Sequence, residues 1–140
     1  MTIRKLKKAD APQAVVLIKQ LTQNIVEPEN LLKRLEDLAG QDNPRYLVAE
    51  IDGVLAGFAG LSWYVIPSKG PMGWIEEVVV DEKYRGQGIA GSLMQELFKV
   101  AEERGLKQVK LTTANPAAKH LYEKLGFIKK EEELLVKKYY

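Results

Sequence analysis

The stretch Val78-Val79-Val80-Asp81-Glu82-Lys83-Tyr84-Arg85-Gly86-Gln87-Gly88-Ile89-Ala90-Gly91 passes from a β-branched run, through a polar turn, into apolar residues at helical spacing. A strand that feeds a helix in this way points to an α/β protein, because the helix has to pack back onto a face of the sheet. Glycine at such a junction lets backbone N–H groups come close to an anion, and the start of the helix adds a partial positive charge. A turn of this kind can hold a pyrophosphate.

The flanking sequence supplies the other elements. Ile3 and Leu6 mark a short opening strand, after which Asp10 and Pro12 begin a helix with Ala14, Val15, Ile18 and Leu21 on one face. Pro28 suits the first position of a second helix that carries Leu31, Leu32, Leu35 and Leu38 and stops at Gly40. Asp52-Gly53, between the apolar runs Tyr46 to Ile51 and Val54 to Ile66, predicts a type I′ hairpin. The stretch from Trp74 to Val80 reads as the central strand, buried on both faces. Beyond Gly88, the residues Ile89, Leu93, Leu97, Val100 and Ala101 predict the longest helix, capped at Gly105. Val109 and Leu111 alternate with Lys110 and Thr112 in a strand, and Asn115-Pro116 opens a helix that carries Ala118, Leu121, Tyr122 and Leu125 up to Gly126. A last strand, or a pair, covers Ile128 to Tyr139. The order β-α-α-β-β-β-α-β-α-β, without repeat or linker, predicts one domain over residues 1–140 with a mixed central sheet and helices on both of its faces.

Composition narrows the function classes. Lys and Arg number 21 and Asp and Glu 19 among 140 residues, so the net charge of +2 provides no field that would gather nucleic acid. No apolar run is long enough to span a bilayer and the first residues lack the apolar core of a secretory signal, which predicts a cytoplasmic protein with no membrane partner. The chain has no cysteine and one histidine, His120. That excludes a disulfide framework and a cysteine nucleophile, and it predicts no metal site. His120, between Lys119 and Glu123 on a helix, reads as a solvated residue.

The glycine turn has two readings. Gly86, Gly88 and Gly91 also spell the dinucleotide fingerprint G-x-G-x-x-G, and with 11 glycines in 140 residues a G-x-G is expected about once by chance. In a dinucleotide fold, however, the first glycine follows its strand almost directly and an acidic residue lies about 20 positions further on. Here Asp81 to Arg85 intervene, and Leu106-Lys107-Gln108-Val109-Lys110 stands where the acid should be. A nicotinamide oxidoreductase is the poorer fit.

The better fit comes from two segments in order. Arg85-Gly86-Gln87-Gly88-Ile89-Ala90 meets the pattern Gln/Arg-x-x-Gly-x-Gly/Ala at each specified position. Asn115-Pro116-Ala117-Ala118-Lys119-His120-Leu121-Tyr122-Glu123-Lys124-Leu125-Gly126-Phe127 meets Asn-x-x-Ala-x-x-Leu-Tyr-x-x-x-Gly-Phe. With both motifs the chain resembles the GNAT family of N-acetyltransferases. The resemblance implies acetyl-CoA as donor and direct attack by a primary amine, which a small molecule or a protein would carry. It implies that the backbone from Arg85 through Gly86, Gln87, Gly88, Ile89 and Ala90 to Gly91, with the Arg85 side chain, holds the pyrophosphate. It also implies that the strand before the turn bulges and splays from its neighbour, so that the backbone of Val78, Val79 and Val80 lies against the pantetheine arm. Asn115 is a helix cap first and a cofactor contact second. The resemblance makes the Tyr122 hydroxyl the acid that protonates the departing thiolate.

Glu76 and Glu77 interrupt a strand that otherwise reads as buried, and charges rarely enter such a strand without a role. The resemblance implies that either position holds the base, or a charge contact to the amine. The alternative for each is a structural ion pair, and without a bulge only one of two neighbours can face a given site. Glu76 is the slightly favoured base. The acceptor pocket is expected between the first two helices and the strand ends, with Trp63, Tyr64 and Trp74 as candidate walls. An inactive acetyl-CoA-binding or interaction module is the other class, opposed by the intact Arg85, Gly88, Tyr122 and glutamate pair. Leu134-Leu135-Val136 could add an edge strand to a homodimer.

Overall fold

The computed structural model describes residues 1–140. The opening strand β1 (Thr2–Lys5) lies antiparallel to β2 (Arg45–Ile51), and Asp52-Gly53 turns β2 into β3 (Val54–Ile66) with φ of 49° and 79°. Those are the positive angles that a type I′ turn demands. A second reversal delivers β4 (Gly70–Val80), and β5 (Gln108–Lys110) joins β4 in parallel, so the sheet runs β1-β2-β3-β4-β5. The centre of the sheet is therefore β3, and β4 stands fourth, contrary to the sequence expectation.

Helices cover both faces. Against one face lie α1 (Ala11–Leu21) and α2 (Leu31–Leu38), where Leu17, Ile18 and Leu35 close over Val48, Phe58 and Val79. Leu17, absent from the expected face of α1, is buried, whereas Leu21 and Leu32 are exposed. Arg4 on β1 grips the buried Asp10 through hydrogen bonds of 2.7 and 3.0 Å, which anchors the start of α1 and holds the Asp10 carboxyl below its ordinary range. The other face is covered by α3 (Ile89–Glu103) and α4 (Pro116–Lys124). There Ile89, Leu93, Leu97, Val100 and Ala101 are all buried, together with Leu61, Ile75 and Tyr122.

The last strand does not form. After Phe127, whose ring packs against Phe98 and Tyr122, the chain runs without regular structure, and Leu134, Leu135 and Val136 are exposed. Five consecutive charges from Lys129 to Glu133 cannot alternate between a core face and a solvent face, and β5 offers an edge of only 3 residues. No helix is long and apolar enough to cross a membrane.

Candidate active site

The site grows from an irregularity in β4. Along the β3–β4 ladder Phe58 pairs with Val79 and Gly60 with Glu76, so Ala59 alone faces the two residues Glu77 and Val78. Glu77 is the extra residue of this bulge and adopts φ of 58°, in the left-handed region. The bulge changes which way the glutamates face. Glu76 lies opposite Gly60, which in turn pairs with Tyr46, and Tyr46 packs on the α1–α2 face. Glu77 lines a cavity on that same face. A regular strand would have sent the neighbours to opposite sides.

Neither glutamate takes part in an ion pair; the pairs in the molecule join other residues. Both residues are exposed at the surface, and the partial desolvation by their neighbours lifts both carboxyls above the usual carboxylate range. The charge of Glu76 lifts Glu77 further. Tyr46 feels the same pair: burial first, then Glu77 and Glu76, push its hydroxyl up to about 12. Its ring is stacked on Phe58 at 5.1 Å and occupies the space that a side chain on Gly60 would need.

Beyond the bulge, β4 has a free edge. Only Met72 to Trp74 pair with β5, so on that side Ile75 to Val80 have no neighbouring strand. Val79 is buried against α1, and Val78 and Val80 pack half-buried on the α3 face. The strand is thus less enclosed than the expected strand buried on both faces, because β5 leaves after its third residue.

The turn then places Arg85 to Gly91 around the start of α3. Gly88 is the N-cap with φ of 77°, and Gly86 has φ of 80°. The backbone amides from Arg85 to Gly91 donate to no group of the protein; the first bond of α3 runs from Ser92 N to the Gly88 carbonyl at 3.1 Å. Gly86, Gln87 and Gly88 are exposed, and a side chain at Gly86, Gly88 or Gly91 would project into open space. The Arg85 Nε donates to the Val80 carbonyl at 3.2 Å, which ties the turn to the strand end. An array of unpaired amides at a helix N-terminus fits a pyrophosphate.

Tyr122 stands on the face opposite the glutamates. Its ring is buried beside Phe127, burial raises its hydroxyl above the ordinary tyrosine value, and the hydroxyl makes no hydrogen bond within the protein. Because no buried side-chain polar atom lacks a partner, that hydroxyl is open to solvent. Asn115 caps α4, its Oδ1 accepting from Ala117 N at 3.0 Å, and His120 is exposed.

The cavity beside Glu77 has a volume of about 310 Å³ and is lined by α1, α2, their connection, β2, β3 and β4. Tyr46, Phe58, Ile25 and Leu31 are walls that the sequence does not reveal, because only the strand register brings Tyr46 over Gly60. Trp63 is not a wall: it lies on the opposite face between Arg45 and Arg104, whose guanidinium carbons are 5.8 and 5.6 Å from its ring. Trp74, two residues before Glu76, shares the glutamate face, and its Nε1 donates to the Tyr64 hydroxyl at 3.1 Å. Neither lines the cavity itself.

Comparison with known proteins agrees with this architecture. Residues 13–127 match the model of the acetyltransferase (GNAT) family. An uncharacterised N-acetyltransferase of Methanocaldococcus jannaschii is 32% identical over 98 residues, which cover 67% of this chain and 43% of that one. The chain thus spans less than half the length of this curated relative. The crystal structure of glucosamine-6-phosphate N-acetyltransferase from Arabidopsis thaliana superposes with a TM-score of 0.79 at 27% identity, covering 99% of this chain and 97% of that one. An aminoglycoside N-acetyltransferase in complex with CoA superposes with a TM-score of 0.84 at 24% identity, over 99% and 94% of the two chains, a likeness of fold.

Proposed function

We propose that this chain, which belongs to the acetyltransferase (GNAT) family, transfers an acetyl group from acetyl-CoA to a primary amine. One observation carries this reading: the bulge at Glu77 puts two carboxylates on one face of a strand whose free edge leads into an exposed anion-binding turn. Acetyl-CoA supplies a thioester carbonyl for the amine to attack and a thiolate to leave. The amides from Arg85 to Gly91 are suited to the pyrophosphate, and the free edge from Glu76 to Val80 offers backbone groups to the pantetheine amides as an added strand would. Asn115 already caps α4, and contact with the donor is a secondary role for it.

Amines arrive mostly protonated, with values about that of lysine, 10.4. The paired carboxylates attract the ammonium group, and one of them accepts its proton. The lining of the cavity favours Glu77 as that base, with Glu76 as the charge beside it. A raised carboxyl is the better base, because its conjugate acid lies nearer the working pH. On the other side of the β4 edge, Tyr122 holds a proton that burial keeps in place and is suited to deliver it to the thiolate. Release of free CoA from acetyl-CoA in the presence of primary amines tests the reading. An inactive binding module would bind acetyl-CoA, shift the unfolding midpoint and release none.

A further inference from the structure

The cavity beside the glutamates is apolar at one end and anionic at the other. Phe58 and Tyr46 form its floor, Ile25, Leu31 and Leu38 line its sides, and Glu77 stands at its rim. At about 310 Å³ it falls at the lower end of ligand pockets, which span about 300–1,000 Å³. Arg34 is the only cationic side chain in the lining, and its charge is already engaged. Its Nη1 donates to the Val26 carbonyl at 2.5 Å and its Nη2 to Glu27 Oε1 at 2.9 Å. Those two bonds also hold the connection between α1 and α2 down over the cavity. The Thr22 hydroxyl accepts from Asn24 N at 3.0 Å.

A phosphate or carboxylate on the acceptor would find no free cation here, and most of the lining is hydrophobic, with Thr22, Asn24 and the Tyr46 hydroxyl as its uncharged polar groups. An ammonium group finds two unpaired carboxylates. We infer that the acceptor is a small primary amine whose ammonium meets Glu76 and Glu77 and whose uncharged apolar body fills the cavity. This rests on the acetyl-transfer reading and narrows it. A polypeptide is the poorer occupant, because at about 310 Å³ the cavity lies at the small-molecule end of ligand pockets.

The test compares kcat/KM for CoA release by the full chain with phenethylamine, hexylamine, glucosamine 6-phosphate and a leucine-first tripeptide amide. The two apolar amines should exceed the sugar phosphate and the peptide by at least about tenfold, the discrimination that an apolar pocket can supply. Ile25→Gln lies outside any helix or strand, so its fold should survive. It should raise KM for phenethylamine by roughly the same factor, with acetyl-CoA affinity unchanged. Preference for the sugar phosphate or the peptide, or an Ile25→Gln enzyme with an unaltered KM, overturns the inference while leaving acetyl transfer intact. If acetyl-CoA binds and no amine releases CoA, the transfer reading fails and this one falls with it.

Discussion

Glu76 stands directly across the β3–β4 ladder from Gly60, and the ring of Tyr46 fills the space that a side chain on Gly60 would take. The proposed base pair and the floor of the cavity therefore depend on one missing methyl group. Gly60→Ala should force the Tyr46 ring off its stack on Phe58 and cost about 1–3 kcal/mol, the usual range for overpacking. Urea unfolding measures the loss. The same variant should raise KM for the acceptor while acetyl-CoA affinity stays constant, and a variant as stable as the parent would mean that the ring moves aside freely.

Gly88 separates strain from charge. At φ of 77° any L side chain is strained, so Gly88→Ala should lose about 1–2 kcal/mol of stability even though its methyl group meets open space. Gly88→Asp adds a negative charge at the start of α3, where the donor's pyrophosphate is proposed to lie, and should abolish acetyl-CoA binding by calorimetry. Equal affinity in the two variants would remove the pyrophosphate from this turn.

Tyr122→Phe keeps the buried ring and deletes only the hydroxyl, which has no partner in the protein. Stability and acetyl-CoA affinity should therefore stay near parental values while kcat falls, most clearly with acceptors for which protonation of the thiolate limits the rate. Undiminished kcat across several amines would assign the acid to water or another group.

How far the sequence predicts this structure differs by element. The helix after the glycine turn is largely legible, because a 3.6-residue period decides burial without knowledge of the partner: all five of its expected core positions are buried, and Met94 is the one buried position the expectation omits. The Asp52-Gly53 hairpin and the Asn115 cap are equally local. The place of β4 in the sheet is not legible, since its β-branched run suits a central strand and only the short β5 exposes its edge. The bulge at Glu77 is the decisive case. Two adjacent glutamates in a strand predict one residue on each face, and the register against Ala59 that gathers them on one side depends on contacts far away in the chain. Tyr46 as a wall is invisible for the same reason. The tail after Phe127 goes the other way: a three-residue apolar run suggests a strand, and the five charges before it forbid the alternation a strand needs.

The glutamate pair yields a test in which stability and rate move in opposite directions. Partial desolvation lifts both carboxyls above the ordinary glutamate value of 4.5, so just above that value the folded protein holds protons that the unfolded chain has released. Stability then falls as pH rises through this window and remains lower above it, because the fold disfavours the charged form. Glu77→Gln removes the charge at nearly constant shape, so at neutral pH the variant should match or exceed the parent in unfolding midpoint, and the difference should vanish below about pH 4. A carboxylate held in a structural ion pair would show the reverse, with Gln less stable at neutral pH. Turnover should respond in the other sense. Loss of a positioned base should cost on the order of a hundredfold in kcat, and rising pH should restore part of it as more of the amine arrives unprotonated. Glu76→Gln, by removing the charge beside the base, should raise KM for the amine more than it lowers kcat. If both variants keep parental rates across the pH range with an accepted amine, the two carboxylates hold no catalytic proton and the mechanism needs another base.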